Sequence, residues 1–497
     1  MLSTAKLKMA YWHGIDYLES IMMEWKQPAI DSTHSLFESQ KTTAQQWRRS
    51  SLQERIDRIA KIRSWVKQNQ KEIRLALWND FQKSEVETDL SEIYPITTEI
   101  NHTIKNLKSW MKPKAVPTPL AMMGTKAFVH AEPKGRTLII SPWNYPFNLA
   151  IGPLISALAA GCTAIIKPSE MTPHTSGLIE KMILDLFETS EVAVVQGDAK
   201  TSQELLELPF DHIFFTGSPQ VGKIIMGEAA KNLSSVTLEL GGKSPTLIGP
   251  SADIKDAASK IIYGKLINCG QTCVAPDYLL VHESIKDRLL DELKIAIQQQ
   301  FDPDYKGIEN SKDLTKVVND KHFRRLDNLL ENALNLGAKL EFGGKRIPNH
   351  RFFEPTLLSL ITESMDLAHE EIFGPILPIL SYTDLDQAID YINSKPKPLA
   401  LYIFSQDKEE TNLVLEETSS GNVVINDCVL HFMHQELPFG GVNTSGIGKS
   451  HGYYGFLAFS NEKGVLKQRI GFNNASLLRP PYGTKTKQII NSLIKWF

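Results

Sequence analysis

Apolar residues along 44–84 recur every three to four positions, with Trp47, Leu52, Ile56, Ile59, Ile62, Trp65 and Val66 on one side and charges between them. That period predicts a helical packing system. A second helical run is predicted over 87–110, ended by Pro113, Pro117 and Pro119. The proline-rich segment and the extended stretch 125–133 after it predict a hairpin leaving the domain surface. The first thirty residues carry a weak pattern: YWHGIDYLESIMMEW reads as a short amphipathic helix or as an extension outside the main domain.

From Thr137 the pattern becomes an alternation of strand and helix. Strands are predicted at 138–141, 163–167, 192–197, 212–217 and 236–242, with helices at 148–160, 175–187, 203–208 and 221–231 between them. Continuous β-branched apolar runs separated by helices argue for a parallel sheet buried on both faces. Ligands of such sheets sit at the carboxyl ends of the strands. A second alternation begins near Thr246, with helices at 254–266, 285–299 and 321–336 and strands at 376–380, 400–404 and 421–426. Two α/β domains account for both. Residues 147–166 are uncharged over a membrane-spanning length, but Gly152, Pro153 and Gly161 divide them into a buried helix and a following strand.

Composition adds mainly exclusions. The 497 residues allow two to four domains. With 54 Lys+Arg against 57 Asp+Glu and a net charge of -3, the chain has no basic footprint for nucleic acid. Four cysteines (Cys162, Cys269, Cys273, Cys428) form no C-x-x-C pair, which argues against a zinc ribbon and fits a reducing, cytosolic setting. The first thirty residues lack the apolar core of a secretory signal.

The candidate chemistry centres on INCGQTCVAPDY (267–278), where Cys273 lies in a loop bounded by Gly270 and Pro276. A lone cysteine is usually a small buried hydrophobe, so its company matters. Asn144 stands between two prolines in SPWNYPF (141–147) just after a strand, a rigid frame for an amide aimed at a developing oxyanion or for a plain turn. Glu239 ends the apolar run of LELGGKSP (238–245), where burial would raise its pKa toward that of a base working near neutrality, or where it is simply a structural carboxylate. No G-x-G-x-x-G opens a helix. In FTGSPQVGK (215–223), however, a strand runs into Gly217 and Ser218 begins a helix whose first-turn N–H groups suit a pyrophosphate or an ordinary N-cap. Lys167 and Glu170 of KPSE follow another strand end, and Glu371 and Phe373 of EEIFGP precede a Gly-Pro turn; each pair reads as a ribose contact or as a solvated loop. GIGKS (446–450) and GGKS (241–244) fail the P-loop pattern because Asn443 and Thr237 stand where glycine is required. His431 and His434 lack a third metal ligand, and no metal is expected.

In this order, PWNYPF, KPSE, FTGS, LELGGKSP, GQTCVAPDY, EEIFGP and LPFGGV resemble the NAD(P)-dependent aldehyde dehydrogenases, most of all the class 3 and fatty-aldehyde branch, over about residues 40–470. The resemblance implies an α/β fold with a Rossmann-like parallel-sheet cofactor domain, an α/β catalytic domain and a small β oligomerisation flap. On it, Cys273 is the nucleophile, Asn144 the oxyanion donor and Glu239 the general base. Lys167 and Glu170 meet the adenosine ribose, Gly217, Ser218 and Val221 lie along pyrophosphate and adenine, and Glu371 and Phe373 hold the nicotinamide ribose. The expected boundaries are 1–33 for an N-terminal extension, 34–111 with 134–237 for the NAD(P) domain, 238–429 for the catalytic domain, 112–133 with 430–472 for the flap, and 473–497 for a tail. The implied substrate is a medium- or long-chain aliphatic or an aromatic aldehyde, the cofactor NAD or NADP, and the assembly a homodimer. Glu170 disfavours a 2′-phosphate and Lys167 favours one, so the choice of cofactor stays open.

Cys269 departs from the family pattern and is read as a space-filling side chain, with a resolving thiol as the alternative. A cysteine-dependent (thio)ester hydrolase without redox cofactor is the competing activity; it would have no use for the helix start at Gly217 and Ser218. Ile489, Ile490, Leu493, Ile494 and Phe497 share one face of a predicted C-terminal helix beside Lys485, Lys487 and Lys495, which suits either weak contact with a membrane surface or packing on the chain itself.

Overall fold

The computed structural model describes residues 33–119, 122, 124–471 and 473–496. The amphipathic reading of the first thirty residues, and Phe497, lie outside that set. The apolar period of 44–84 resolves into three helices, Thr33–Trp47, Leu52–Gln68 and Gln70–Phe81, rather than one system starting at 44. The break has a local cause: Ser51 and Glu54 form a reciprocal capping box that starts the second helix. Gln82, in the left-handed region at φ 54, ends the third.

The run 85–110 is helical but changes pitch in the middle. Glu85–Thr88 passes through a π turn at Asp89–Ile93 into Tyr94–Trp110. Pro95 has no N–H to give to the carbonyl of Ser91, and that carbonyl accepts instead from Asn148 Nδ2 at 3.1 Å. A proline in one helix thus leaves a hook for the start of another.

Six strands form the first sheet, in the order Gly446–Ile447, Ser235–Leu240, His212–Gly217, Arg136–Ile140, Thr163–Lys167, Val192–Val194. All pair in parallel except Gly446–Ile447, which lies antiparallel on Ser235–Leu240. The chain moves outward from Arg136–Ile140 in one direction and returns to His212–Gly217 on the other side, so the ligand-binding switch point lies between those two strands. The helix Asn148–Ala160 is buried on nearly all sides, packed by Leu52–Gln68, Tyr94–Trp110 and Gly452–Ala458. This is the uncharged stretch of the sequence, and no helix among the described residues is long and apolar enough to cross a membrane.

The second sheet has seven strands, in the order Lys339–Phe342, Thr356–Ser359, Ile376–Tyr382, Tyr278–His282, Pro245–Ile248, Ala400–Phe404, Asn422–Ile425, parallel apart from the first. The third joins Lys114–Ala115, Lys126–Pro133 and Ser460–Lys467. Here the expected hairpin is only part of the story. Lys114–Ala115 pairs with two residues of Lys126–Pro133, whereas Ser460–Lys467 pairs with that strand along its whole length. Residues 430–458, by contrast, turn inward: Phe432 and Phe439 pack against the second core, and Phe456 joins the first. The C-terminal helix Thr484–Trp496 leaves Ile490 and Ile494 exposed, with Ile489 and Leu493 half-buried.

Candidate active site

The loop that carries Cys273 begins where helix Ile254–Leu266 stops. Asn268, Cys269 and Gly270 take φ of 53°, 55° and 73° in succession, a left-handed run in which two residues carry a Cβ. Such strain persists only where surroundings over-determine it. Glu87 Oε1 accepts from Asn268 N at 2.5 Å, and Asn268 Nδ2 donates to the carbonyls of Asn144 at 2.8 Å and Gln271 at 3.1 Å. Gln271 is fully used: its Nε2 donates to Asn268 O and Lys316 O, and its Oε1 accepts from Val318 N. Gly270 is required because a Cβ there would stand 2.3 Å from the carbonyl oxygen of Gly374 in EEIFGP. The loop is therefore stitched to its partners before Cys273 is reached.

Asn144 is buried, and its Nδ2 donates to Gln271 O at 3.1 Å, two residues before the nucleophile. Tyr145 OH and Thr272 Oγ1 meet at 2.6 Å. From behind, Glu92 Oε2 accepts the backbone N–H of Asn148 at 2.8 Å, and Glu92 Oε1 pairs with the fully buried Lys83 at 3.3 Å. The segment that anchors Asn268 through Glu87 thus also anchors the PWNYPF turn through Glu92.

Glu239 is the penultimate residue of strand Ser235–Leu240 and is buried. Its Oε1 accepts from Ser450 Oγ at 2.8 Å, while Oε2 has no partner among the described residues. Burial pushes its pKa up to about 8, with Ser450 and the nearby Lys449 ammonium opposing the rise. Glu239 and Cys273 line one pocket, walled by Pro95, Leu149, Pro153, Leu399, Phe432 and Met433. Cys273 is half-buried, and its thiol pKa is raised, first by burial and then by the carboxyl groups of Glu371 and Glu239. These surroundings favour the thiol over the thiolate.

EEIFGP closes the other side. Gly241 lets Glu371 approach, since a Cβ there would stand 2.1 Å from Glu371 Oε2. Burial pushes the Glu371 carboxyl up to about 8, as does the Asp277 carboxylate. Lys243 clamps this loop: its Nζ pairs with buried Asp277 and donates to Leu367 O at 2.8 Å and Glu370 O at 2.9 Å, while Asp277 Oδ2 accepts from Ile372 N at 2.9 Å. Phe373 stands edge-on to Trp143 of PWNYPF at 5.3 Å.

At the switch point, Ser218 caps helix Pro219–Asn232 by accepting from Val221 N, and Val221 is exposed in the first turn. Lys167 is buried at the end of its strand and pairs with the exposed Glu170 at 3.0 Å. These residues fit a dinucleotide: a helix N-terminus for phosphate, an exposed apolar side chain for a base, and a lysine and carboxylate for ribose hydroxyls. They lie on the sheet whose strand His212–Gly217 brings Thr216 into the pocket of Cys273.

The sequence model of the aldehyde dehydrogenase family matches residues 18–465. The chain belongs to this family. It is 44% identical over 435 residues to 4,4'-diaponeurosporen-aldehyde dehydrogenase of Staphylococcus aureus, covering 88% of this chain and 93% of that protein. To mouse aldehyde dehydrogenase family 3 member A2 it is 39% identical, covering 88% of each. A solved structure of Staphylococcus aureus AldH in its substrate-bound state superposes with a TM-score of 0.89 at 42% identity, covering 93% of this chain and 99% of that one. The protein is an aldehyde dehydrogenase-type oxidoreductase that uses NAD or NADP to oxidise aldehydes, and its relatives fit the class 3 branch.

Several supporting groups escaped the sequence reading. Ser450 lies in GIGKS, the apparent P-loop; that segment is instead the antiparallel edge strand Gly446–Ile447 and the donor to Glu239. Lys243 and Asp277 sit inside recognised motifs, but nothing local shows that they meet. Cys269 is buried among Val317, Phe323 and Leu326, its thiol pushed up to about 12 by burial, whereas Cys273 packs against a different core cluster. His431 is stacked on Phe439 at 5.6 Å inside the fold.

Proposed function

We propose that Cys273 attacks the aldehyde carbonyl, that Asn144 Nδ2 and the Cys273 backbone N–H hold the resulting oxyanion, and that Glu239 then activates water against the thioester. The observation that carries this reading is the opening of Cys273 and the high-pKa Glu239 into one apolar pocket. Attack forms the S–C bond, and the thiol proton passes to water. A preorganised amide lowers the barrier because it is already aimed at the charge that develops. NAD or NADP supplies the hydride acceptor; Gly217, Ser218 and Val221 would hold its pyrophosphate and adenine, Lys167 and Glu170 its adenosine ribose, and Glu371 and Phe373 its nicotinamide ribose. Hydrolysis takes a proton from water at Glu239, breaks the S–C bond and returns the thiol to Cys273.

The apolar walls Pro95, Leu149, Pro153, Phe432 and Met433 favour a medium- or long-chain aliphatic or an aromatic aldehyde. Among the described residues the outer edge of Ser460–Lys467 is unpaired, which supports pairing of two chains into a homodimer. Exposed Ile490 and Ile494 beside Lys487 and Lys495 support a peripheral membrane contact by a cytoplasmic protein. The test follows reduced cofactor across an aldehyde series of increasing length. Cys273→Ala is expected to form none, and Glu239→Gln is expected to give one rapid equivalent per site followed by slow turnover. Wild-type turnover by the first variant, or loss of the rapid equivalent in the second, overturns the corresponding role.

A further inference from the structure

Glu99 belongs to helix Tyr94–Trp110, outside every motif of the sequence, yet it lines the same pocket as Cys273 and Glu239. It is 5% exposed. Oε1 accepts the backbone N–H of Gly452 at 2.9 Å, and Oε2 has no partner among the described residues. Two residues before Gly452, the Ser450 hydroxyl donates to Glu239 Oε1. A three-residue turn therefore joins the two buried carboxyl groups of one pocket.

The turn would not hold this shape unaided. His451 lies at φ 69, ψ 141, a conformation that side chains other than glycine rarely adopt. Its ring is wedged between Phe432 at 4.7 Å and Phe439 at 5.2 Å, and Ser450 N is tied to Phe439 O at 2.7 Å. Those contacts fix the outer side of the turn. Glu99 grips it from the helix side, at the N–H that opens Gly452–Ala458.

We infer that Glu99 is a positioning residue for the general base: by holding Gly452 it sets the Ser450 hydroxyl on Glu239 Oε1 and leaves Oε2 facing the water that will be activated. The inference rests on the assignment of Glu239 as base. Glu99 needs no charge for this work, since a neutral carboxyl or amide oxygen accepts a backbone N–H as well. Burial, which pushes Glu99 up to about 7, is consistent with a group that functions as an acceptor in either protonation state.

The experiment compares Glu99→Leu, Glu99→Gln, Ser450→Ala and Glu239→Gln with wild type, reading the first-turnover rate of cofactor reduction and the steady rate separately. Glu99→Leu and Ser450→Ala are expected to keep the first turnover and to lose roughly 10- to 100-fold in the steady rate, the scale on which small misplacement is felt. Glu99→Gln, which preserves the acceptor, is expected to restore the steady rate. Equal slowing of both phases in Glu99→Leu, an unchanged steady rate, or a Glu99→Gln variant as slow as Glu99→Leu overturns the inference; the last result assigns a proton rather than an acceptor to Glu99. If Glu99→Leu does not fold, an unchanged Ser450→Ala overturns it by itself. A Glu239→Gln enzyme with normal steady turnover removes the base assignment and this inference with it, whereas a slow Glu239→Gln beside an unaffected Glu99→Leu removes this inference alone.

Discussion

Replacing Glu239 by glutamine should stabilise the protein while crippling it, and the gain should grow with pH. Burial raises the Glu239 carboxyl from 4.5 to about 8. The folded state therefore prefers the protonated acid. Its favourable contribution is complete below pH 4.5 and is lost progressively as pH climbs through the folded value near 8. Each pH unit within that window costs about 1.4 kcal/mol, so wild type gives up roughly 3 kcal/mol by pH 7 and about 5 kcal/mol above pH 8, as order-of-magnitude figures. Glutamine accepts the Ser450 hydroxyl and never ionises, so it avoids this loss. Urea unfolding of both proteins, followed by tryptophan fluorescence from pH 6 to 9, should show the difference rising by about 3 kcal/mol between pH 6 and 8 and then levelling. Parallel curves for the two proteins would mean that Glu239 ionises in the folded state as readily as in the unfolded chain, and the buried-base reasoning would fail. A base held at its working pKa by burial is bought with stability elsewhere.

Two further outcomes test the surroundings. Asn144→Ala removes an oxyanion donor and should slow the first turnover by about 100- to 1000-fold, with cofactor affinity little changed; a near-normal first turnover removes Asn144 from the scheme. Lys243→Met strands the buried Asp277 carboxylate and should cost roughly 3–5 kcal/mol in unfolding experiments, with much of that recovered in Lys243→Met/Asp277→Leu; a loss below about 1 kcal/mol would show that the pair contributes little beyond packing.

The elements legible to the residue were those whose signal is local. Helices Asn148–Ala160 and Ile254–Leu266 and strands Thr163–Lys167, His212–Gly217 and Ala400–Phe404 carry uninterrupted apolar runs or a clear helical period between glycines and polar breaks. The run 44–84 was blurred because its apolar face continues across the breaks, although Ser51 followed by Glu54 is a helix-start signal that could have divided it. Strands Tyr278–His282 and Thr356–Ser359 and helix Gly452–Ala458 are short and buried, so period alone gives little to read. At the site, the reacting residues are written in compact motifs, but what holds them is not. Ser450 meets Glu239 from 211 positions away, Glu87 meets Asn268 across 181, and Lys243 reaches Leu367 across 124. Such pairings follow from sheet order and loop packing, which no local pattern encodes.

The edge strand Gly446–Ile447 also governs when the enzyme can become one. It covers the strand that carries Glu239, pairing Gly446 with Glu239 itself, and Ser450 follows immediately. During synthesis at about 5–20 residues per second, the 211 residues separating Glu239 from Ser450 take roughly 10–40 s to emerge. Over that interval the border of the first sheet at Glu239 has no partner strand, and helix Asn148–Ala160 lacks its partner Gly452–Ala458. A chain released just before residue 446 would hold every recognisable motif, LPFGGV included, and still lack the Ser450 hydroxyl that bonds Glu239. Emergence of residues 446–458, rather than of Cys273, is the step that completes the border at Glu239.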